Sequence, residues 1–188
     1  MNDSAGVAWD SPLLFSRFVE ECGIHAEPVT PQLLAAPFFR GKFSTLIIPT
    51  GFANPEYSNL LPALRASEVR IKRFLEGGGR LLVFGAAIKG NSYDWLPFSI
   101  SYTYEYACYE LEGEGEYTDM IEGYDRKCIS CDGWFPEHEG VTALHSHERA
   151  VLIIKRIGVG IAIVTSIHEY PSRTFIRMFC TSQCETLF

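Results

Sequence analysis

The chain has 188 residues, of which 47% are hydrophobic. This length and composition are enough for one sizeable core and favour a single domain over residues 1–188. Its net charge of −7 and sequence pI near 5.2 argue against a general nucleic-acid binder and against binding to anionic membranes, since both need a basic surface. No stretch is long enough to span a bilayer, and the first residues lack the basic start and apolar run of a signal peptide, so we expect a cytoplasmic protein.

The first half of the chain alternates predicted strands and helices. Pro12 and Ser67 are suited to begin two of the helices, and the glycines at 77–79 end the second. This alternation predicts right-handed crossovers and a mostly parallel sheet with helices on both faces. The predicted elements are a strand over 6–10, a helix ending near 22, a strand over 25–30, a brief helix from 31, a strand over 45–49, a helix from 67 to 76 and a strand over 81–84.

The second half of the chain has the pattern of antiparallel strands. Residues 99–111 alternate in polarity and are rich in tyrosine, which is typical of an edge strand, of a cover over the sheet or of a dimer surface. An acidic, glycine-containing loop follows, and then a strand over 127–135. Residues 150–155 and 160–166 flank a Gly-Val-Gly turn and predict a late antiparallel hairpin. A final helix begins near Ser172 and faces Phe175, Ile176 and Phe179 inward.

Three segments carry further signals, namely LIIPTGFANPE at 46–56, RFLEGGGRLLVFGAA at 73–87 and GVGIAIVTSIHEYPS at 158–172. In this order they resemble the class I glutamine amidotransferase-like superfamily. The resemblance covers most of residues 6–90 and 150–178. It implies a flavodoxin-like α/β fold, with a glycine loop that binds an oxyanion, a nucleophile on the turn after a strand, and a catalytic histidine after the late hairpin.

The chain departs from the family at the nucleophile and at the acid. Family enzymes place a cysteine on the turn where this chain has Ala86, or Gly85 in a shifted alignment. His168 matches the catalytic histidine, but Tyr170 stands where a carboxylate would orient it. Glu169 is adjacent to His168 and should point to the opposite face of the strand, so it cannot be assumed to replace that acid. We therefore expect no glutaminase activity.

A ligand pocket is nevertheless expected at the carboxyl ends of the parallel strands, where open α/β sheets gather ligands. His168 should lie there beside the Gly51 and Gly85 loops. Backbone N–H groups in those loops would favour a small polar or anionic ligand, and a regulatory or scaffolding role would follow. The candidate ligand-binding residues are Asp10, Thr50, Gly51, Asn54, Gly85, Ala86 and Tyr170.

Two other functions stay open. The first is a hydrolase or isomerase that uses His168 as general base with Glu169, Asp10 or a bound metal. The second is an oligomeric interaction module built on the tyrosine-rich segment, which would make the protein a homo-oligomer.

The cysteines raise the question of a metal. A reducing compartment disfavours disulfides and leaves thiols for packing, metal binding or redox work. Cys128 and Cys131 form one local pair, and Cys180 and Cys184 form another. Four thiolates would suit zinc, while burial as small apolar side chains is the default interpretation. His145 and His147 would share a face on a strand and form a candidate metal pair, or else lie in an exposed loop. We expect no other cofactor.

Overall fold

A seven-stranded sheet forms the centre of the molecule, in the order β2-β1-β4-β5-β10-β9-β8. The structure is a computed structural model that describes residues 3–9, 13–181 and 186–188. Its strands are β1 (Ser4–Ala8), β2 (His25–Val29), β3 (Lys42–Phe43), β4 (Thr45–Ile48), β5 (Arg80–Val83), β6 (Thr103–Tyr109), β7 (Ile129–Trp134), β8 (Val141–Ser146), β9 (Arg149–Ile157), β10 (Gly160–Thr165) and β11 (Thr186–Leu187). Its helices are α1 (Leu13–Glu21), α2 (Pro31–Ala35), α3 (Leu60–Ala66), α4 (Glu68–Glu76) and α5 (Arg173–Cys180), with a 3₁₀ helix at Thr118–Ile121.

The topology confirms the predicted fold class. Strands β2, β1, β4, β5 and β10 are parallel neighbours, which is the flavodoxin-like 2-1-3-4-5 order. Strand β9 pairs antiparallel with β10 as the predicted late hairpin, and β8 pairs antiparallel with β9 at the edge. In this order the chain leaves β1 towards one side of the sheet and reaches β4 on the other, so the carboxyl ends of β1 and β4 mark the topological switch point.

Helices cover both faces of the sheet, as predicted. Within β5, Leu81 and Val83 enter the core that α3 and α4 cover, whereas Leu82 enters the core that α1 and α5 cover. Three consecutive positions of β5 are apolar because this part of the strand is buried on both sides. None of the helices in the described part of the chain is long and apolar enough to cross a membrane.

Several predicted boundaries and one predicted cap were wrong. Helix α3 was missed although its buried residues Leu60, Ala63 and Leu64 have helical spacing. Strand β8 was missed because its burial does not alternate regularly, and only 103–109 of the tyrosine-rich segment pairs as a strand. Ser67 lies between α3 and α4, but its hydroxyl does not cap α4. It is fully buried and donates to the carbonyl of Leu34 at 2.7 Å, because a buried hydroxyl must find a partner in the core. Ser172 does cap α5, where its oxygen accepts the Phe175 N–H.

A ribbon formed by β6 and β7 lies across the carboxyl edge of the sheet. The two strands pair antiparallel with each other, and β7 is joined to the segment after β10 by an isolated bridge between Cys131 and Ile167. The Asp132 amide donates to the Ser166 carbonyl at 2.7 Å. These bonds place the Asp132 side chain of β7 at the carboxyl ends of the parallel strands.

Candidate functional site

The loops after β4 and β5 meet at the carboxyl edge. The Gly51 N–H donates to the Gly85 carbonyl at 2.7 Å, and the Thr50 hydroxyl lies 3.3 Å from the same oxygen. Gly51 has a φ of 79°, a left-handed conformation that glycine adopts without steric cost. The two glycine loops that the sequence singled out are therefore in direct contact.

A buried carboxylate connects these loops to His168. The Asp132 side chain is 3% exposed, and its Oδ1 lies 2.9 Å from Nδ1 of His168. Its Oδ2 accepts a hydrogen bond from the Thr50 hydroxyl. When neutral, His168 donates from Nδ1 to this carboxylate, which leaves Nε2 as an acceptor. The imidazole is 48% exposed, so Asp132 holds the ring while about half of its surface stays accessible to solvent.

Asp132 also fills the space above Gly85. A Cβ atom placed on Gly85 would lie 2.6 Å from Asp132 Oδ2 and 2.8 Å from Asp132 Cβ. Ala86, the other candidate for the nucleophile position, is fully buried. Ala87 is partly exposed and has a φ of 53°, so the left-handed residue of this turn carries only a methyl group.

Two of the loop amides expected to attract an anion already have acceptors within the protein. The Gly51 N–H is bonded to Gly85, and the Ala86 N–H donates to the Tyr93 hydroxyl at 3.0 Å. That hydroxyl donates in turn to the Phe84 carbonyl at 3.2 Å. Burial raises the pKa of Tyr93 well above its ordinary value, which keeps the proton on the phenol. These two amides are therefore not free for a ligand.

A cavity of about 300 Å³ opens beside Thr50 and His168. It lies where β1, β4 and β5 end, which is the switch point of the sheet. Its wall is mainly aromatic and aliphatic, with a few polar groups at one end, as in small-molecule sites generally. The residues that line it are Trp9, Leu14, Phe15, Pro49, Thr50, Phe84, His168, Glu169 and Tyr170.

The structure brings only some of the candidate ligand residues to this cavity. Thr50 and Tyr170 line it. Gly85 lies against the Asp132 side chain, and the Ala86 N–H is bonded to the Tyr93 hydroxyl. Asn54 shapes its own turn, because its Oδ1 accepts the Glu56 N–H at 3.0 Å. Asp10 lies outside the described residues.

The carboxylate that contacts His168 is Asp132, which the sequence interpretation missed. Glu169 lies beside His168 in sequence, but its Oε1 accepts the Ser130 N–H at 2.9 Å. This agrees with the expectation that Glu169 cannot stand in for the orienting acid. The available signal was an acid inside the predicted strand ISCDGWF, where a charged side chain needs a specific partner.

The tyrosine-rich segment 99–111, which contains β6, also takes part in the site. The Tyr102 hydroxyl donates to the Asp132 carbonyl at 2.7 Å, and burial raises the pKa of this phenol. The Tyr106 ring lies edge-on to His168, with 5.5 Å between the ring centres. Tyr104 and Tyr106 are exposed, as an interaction surface would require, but Tyr106 also supports His168.

The predicted zinc ligands are not brought together. Cys128 forms a disulfide with Cys108, contrary to the expectation of free thiols, so it is not available as a thiolate. Cys131 and Cys180 are buried in the core, and Cys184 lies outside the described residues. Among residues 3–9, 13–181 and 186–188, no group of three or more His, Cys, Asp or Glu side chains could hold a metal ion.

The candidate histidine pair lies at the turn that ends β8. His145 Nδ1 lies 2.9 Å from the carbonyl oxygen of His147, and His147 itself has a left-handed φ of 52°. His145 thus bonds within its own turn.

The buried thiols are expected to be unreactive in the folded protein. Burial raises the pKa of Cys131 and of Cys180 to about 12. At pH 8 a thiol of this pKa is ionised to about one part in ten thousand, and only the thiolate attacks an alkylating reagent. Peptide mass spectrometry after iodoacetamide treatment should show both residues unmodified in native protein and modified in guanidinium chloride. Native alkylation at the unfolded rate would contradict this burial.

No protein-family model and no curated protein matches the sequence. Among solved structures, a candidate GMP synthase subunit from Thermoplasma acidophilum superposes with a TM-score of 0.61 at 13% identity, covering 96% of this chain and 93% of that one. The chain shares the fold of that protein. The cytoplasmic protein STM3548 of Salmonella typhimurium gives a TM-score of 0.56 at 11% identity over 98% and 99% of the two chains.

The same fold also forms part of larger proteins. A β-galactosidase from Rahnella sp. R3 gives a TM-score of 0.56 at 10% identity over 95% of this chain, but over only 30% of its own length. At such identities the likeness to these three proteins concerns the fold alone. The chemistry of this chain has to be argued from its own residues.

Proposed function

We propose that this amidotransferase-like protein binds a small ligand in the cavity at the switch point of its sheet, that His168 contacts the ligand, and that it has no glutaminase activity. One observation carries the proposal: buried Asp132 holds the half-exposed imidazole of His168 at a cavity. Burying a carboxylate is costly unless it is paired and hydrogen-bonded. A buried carboxylate bonded to a partly exposed histidine has a clear function if it keeps Nε2 of that histidine pointing in one direction.

The lack of glutaminase activity is supported by the turn after β5. Amide hydrolysis in the family needs a thiolate that reaches the substrate. A side chain at Gly85 would collide with Asp132, and the methyl group of Ala86 is buried. Neither position offers an accessible nucleophile.

The wall of the cavity suggests the character of the ligand. Its volume of about 300 Å³ is at the lower end of the range for small-molecule sites. Aromatic side chains can cover an apolar body, while Thr50 and His168 provide the polar contacts. The predicted anionic ligand has less support at two positions, because the Gly51 and Ala86 amides are already bonded.

A general-base enzyme is the second candidate, and the Asp132–His168 pair favours it. A carboxylate on Nδ1 fixes the orientation and the tautomer of the imidazole, so that Nε2 can take a proton from water or from a carbon acid. Hydrolysis and isomerisation both fit this arrangement. Turnover of a bound compound would distinguish this function from simple binding.

We also propose a cytoplasmic location, which the description of STM3548 as cytoplasmic supports. Cys108 and Cys128 are both on the surface, so their disulfide would be open to reduction in that compartment.

A metabolite screen by thermal shift tests the proposal. A ligand at a hundred times its dissociation constant should add about 2.7 kcal/mol to the free energy of unfolding. We expect this stabilisation to be lost in His168→Ala and kept in the control His25→Ala, which changes an exposed histidine at the start of β2. A compound that stabilises the wild type and His168→Ala equally would not be bound by this site.

A further inference from the structure

The cavity has an aromatic wall. Trp9, Phe15, Phe84 and Tyr170 contribute four rings to it. The centre of the Phe15 ring lies 5.5 Å from that of Phe84 and 5.4 Å from that of Tyr170, so these rings form one continuous surface. The faces of aromatic rings carry negative potential and attract cations within about 6 Å of the ring centre.

Two acidic side chains lie at the cavity. Glu169 is in its wall, and buried Asp132 lies just behind Thr50 and His168. The Oε1 atom of Glu169 accepts one backbone N–H, while its Oε2 is shielded from solvent and has no hydrogen-bond partner among the described residues. No lysine or arginine is among the described residues that line the cavity. The charge of Glu169 is therefore compensated by a single amide.

We infer that the ligand of this cavity is an organic cation, a protonated or quaternary amine on a small apolar body. The inference rests on the proposed binding function and adds the class of ligand. A cation would be attracted by the carboxylate of Glu169 and stabilised by any ring face that it contacts, whereas an anion would be repelled by the carboxylate. A neutral ligand of the same shape would gain from apolar burial alone.

Three probes of nearly the same shape separate these cases. Choline carries a positive charge, 3,3-dimethylbutan-1-ol is its uncharged isostere, and 3,3-dimethylbutanoate carries a negative charge. Calorimetry, with Trp9 fluorescence as a second readout, should show choline binding about tenfold more tightly than the alcohol, with the carboxylate weakest. If the alcohol or the carboxylate binds as tightly as choline, the inference is wrong.

Substitutions assign the preference to this cavity. Glu169→Gln keeps an oxygen for the Ser130 N–H but removes the charge, and it should weaken choline binding about fivefold while leaving the alcohol unchanged. Trp9→Leu should weaken choline binding by a similar factor. The control Glu137→Gln removes an exposed carboxylate outside the cavity and should change neither affinity. Equal losses in Glu137→Gln and Glu169→Gln would mean a non-specific effect of net charge and would overturn the inference.

The proposed function and this inference can fail separately. If choline does not bind but another compound from the metabolite screen binds in a way that needs His168, the cation inference fails and the binding function stands. If no compound, charged or neutral, gives a response that is lost in His168→Ala, both fail.

Discussion

Replacing Asp132 with alanine is expected to reverse the tautomer of neutral His168. In the wild type, the proton should reside on Nδ1, because this nitrogen lies 2.9 Å from Asp132 Oδ1. Without the carboxylate, the ring should return to the Nε2–H form that free imidazole side chains prefer. Nitrogen-15 spectra of the histidine ring nitrogens would measure this directly, without any knowledge of the ligand.

The same variant should affect stability and function. Removing a buried acceptor leaves its donors unsatisfied, which costs about 1–3 kcal/mol for each affected group. If the protein is an enzyme, the loss of an oriented base should lower kcat by about 10²- to 10⁴-fold. Asp132→Asn retains one oxygen that can accept the Nδ1–H and should lie between the alanine variant and the wild type. An unchanged Nδ1–H tautomer in Asp132→Ala would show that Asp132 does not position the ring.

Gly85→Ala is expected to destabilise the protein although it adds one methyl group. The new Cβ would lie 2.6 Å from Asp132 Oδ2, well inside normal contact distance. Overpacking of this kind costs about 1–3 kcal/mol. For a chain of this length, each kcal/mol lowers the melting temperature by about 2–4 °C. Thermal unfolding should therefore show a clear loss, together with a displaced Asp132 and an altered His168 signal.

A double-mutant cycle identifies the cause of that loss. Asp132→Gly removes every Asp132 atom that the new methyl group would meet. Gly85→Ala should therefore cost much less in the Asp132→Gly background than in the wild type, and the difference measures the coupling between the two positions. Equal costs in both backgrounds would place the strain elsewhere in the turn.

The central sheet could be predicted because its signals are local. Strands β4 and β5 are short, mostly apolar runs that end at Ile48 and Val83, and a strand buried on both faces needs little more than such a run. The placement of His168 at the carboxyl edge followed from the strand before it. These features depend on a few consecutive residues and on one rule of chain topology.

The interactions of the site could not be predicted in the same way. Asp132 meets His168 across a separation of 36 residues, through a ribbon whose course over the sheet no local pattern specifies. Likewise, nothing in the sequence indicated that the Ala86 amide already has an acceptor. Only the fold places the Tyr93 hydroxyl on it. Whether a backbone donor is free depends on long-range packing, and a single sequence does not record that.

The hydrogen bond from the Ala86 amide to the Tyr93 hydroxyl would hinder any attempt to engineer amide hydrolysis into this protein. A transplanted cysteine would arrive in a turn whose neighbouring donor already has an intramolecular acceptor, so developing negative charge on a substrate would find no vacant amide there. A functioning design would have to remove the phenol and the carboxylate above Gly85 before the new thiol could act. Glutaminase chemistry in this fold would therefore need at least three coordinated substitutions.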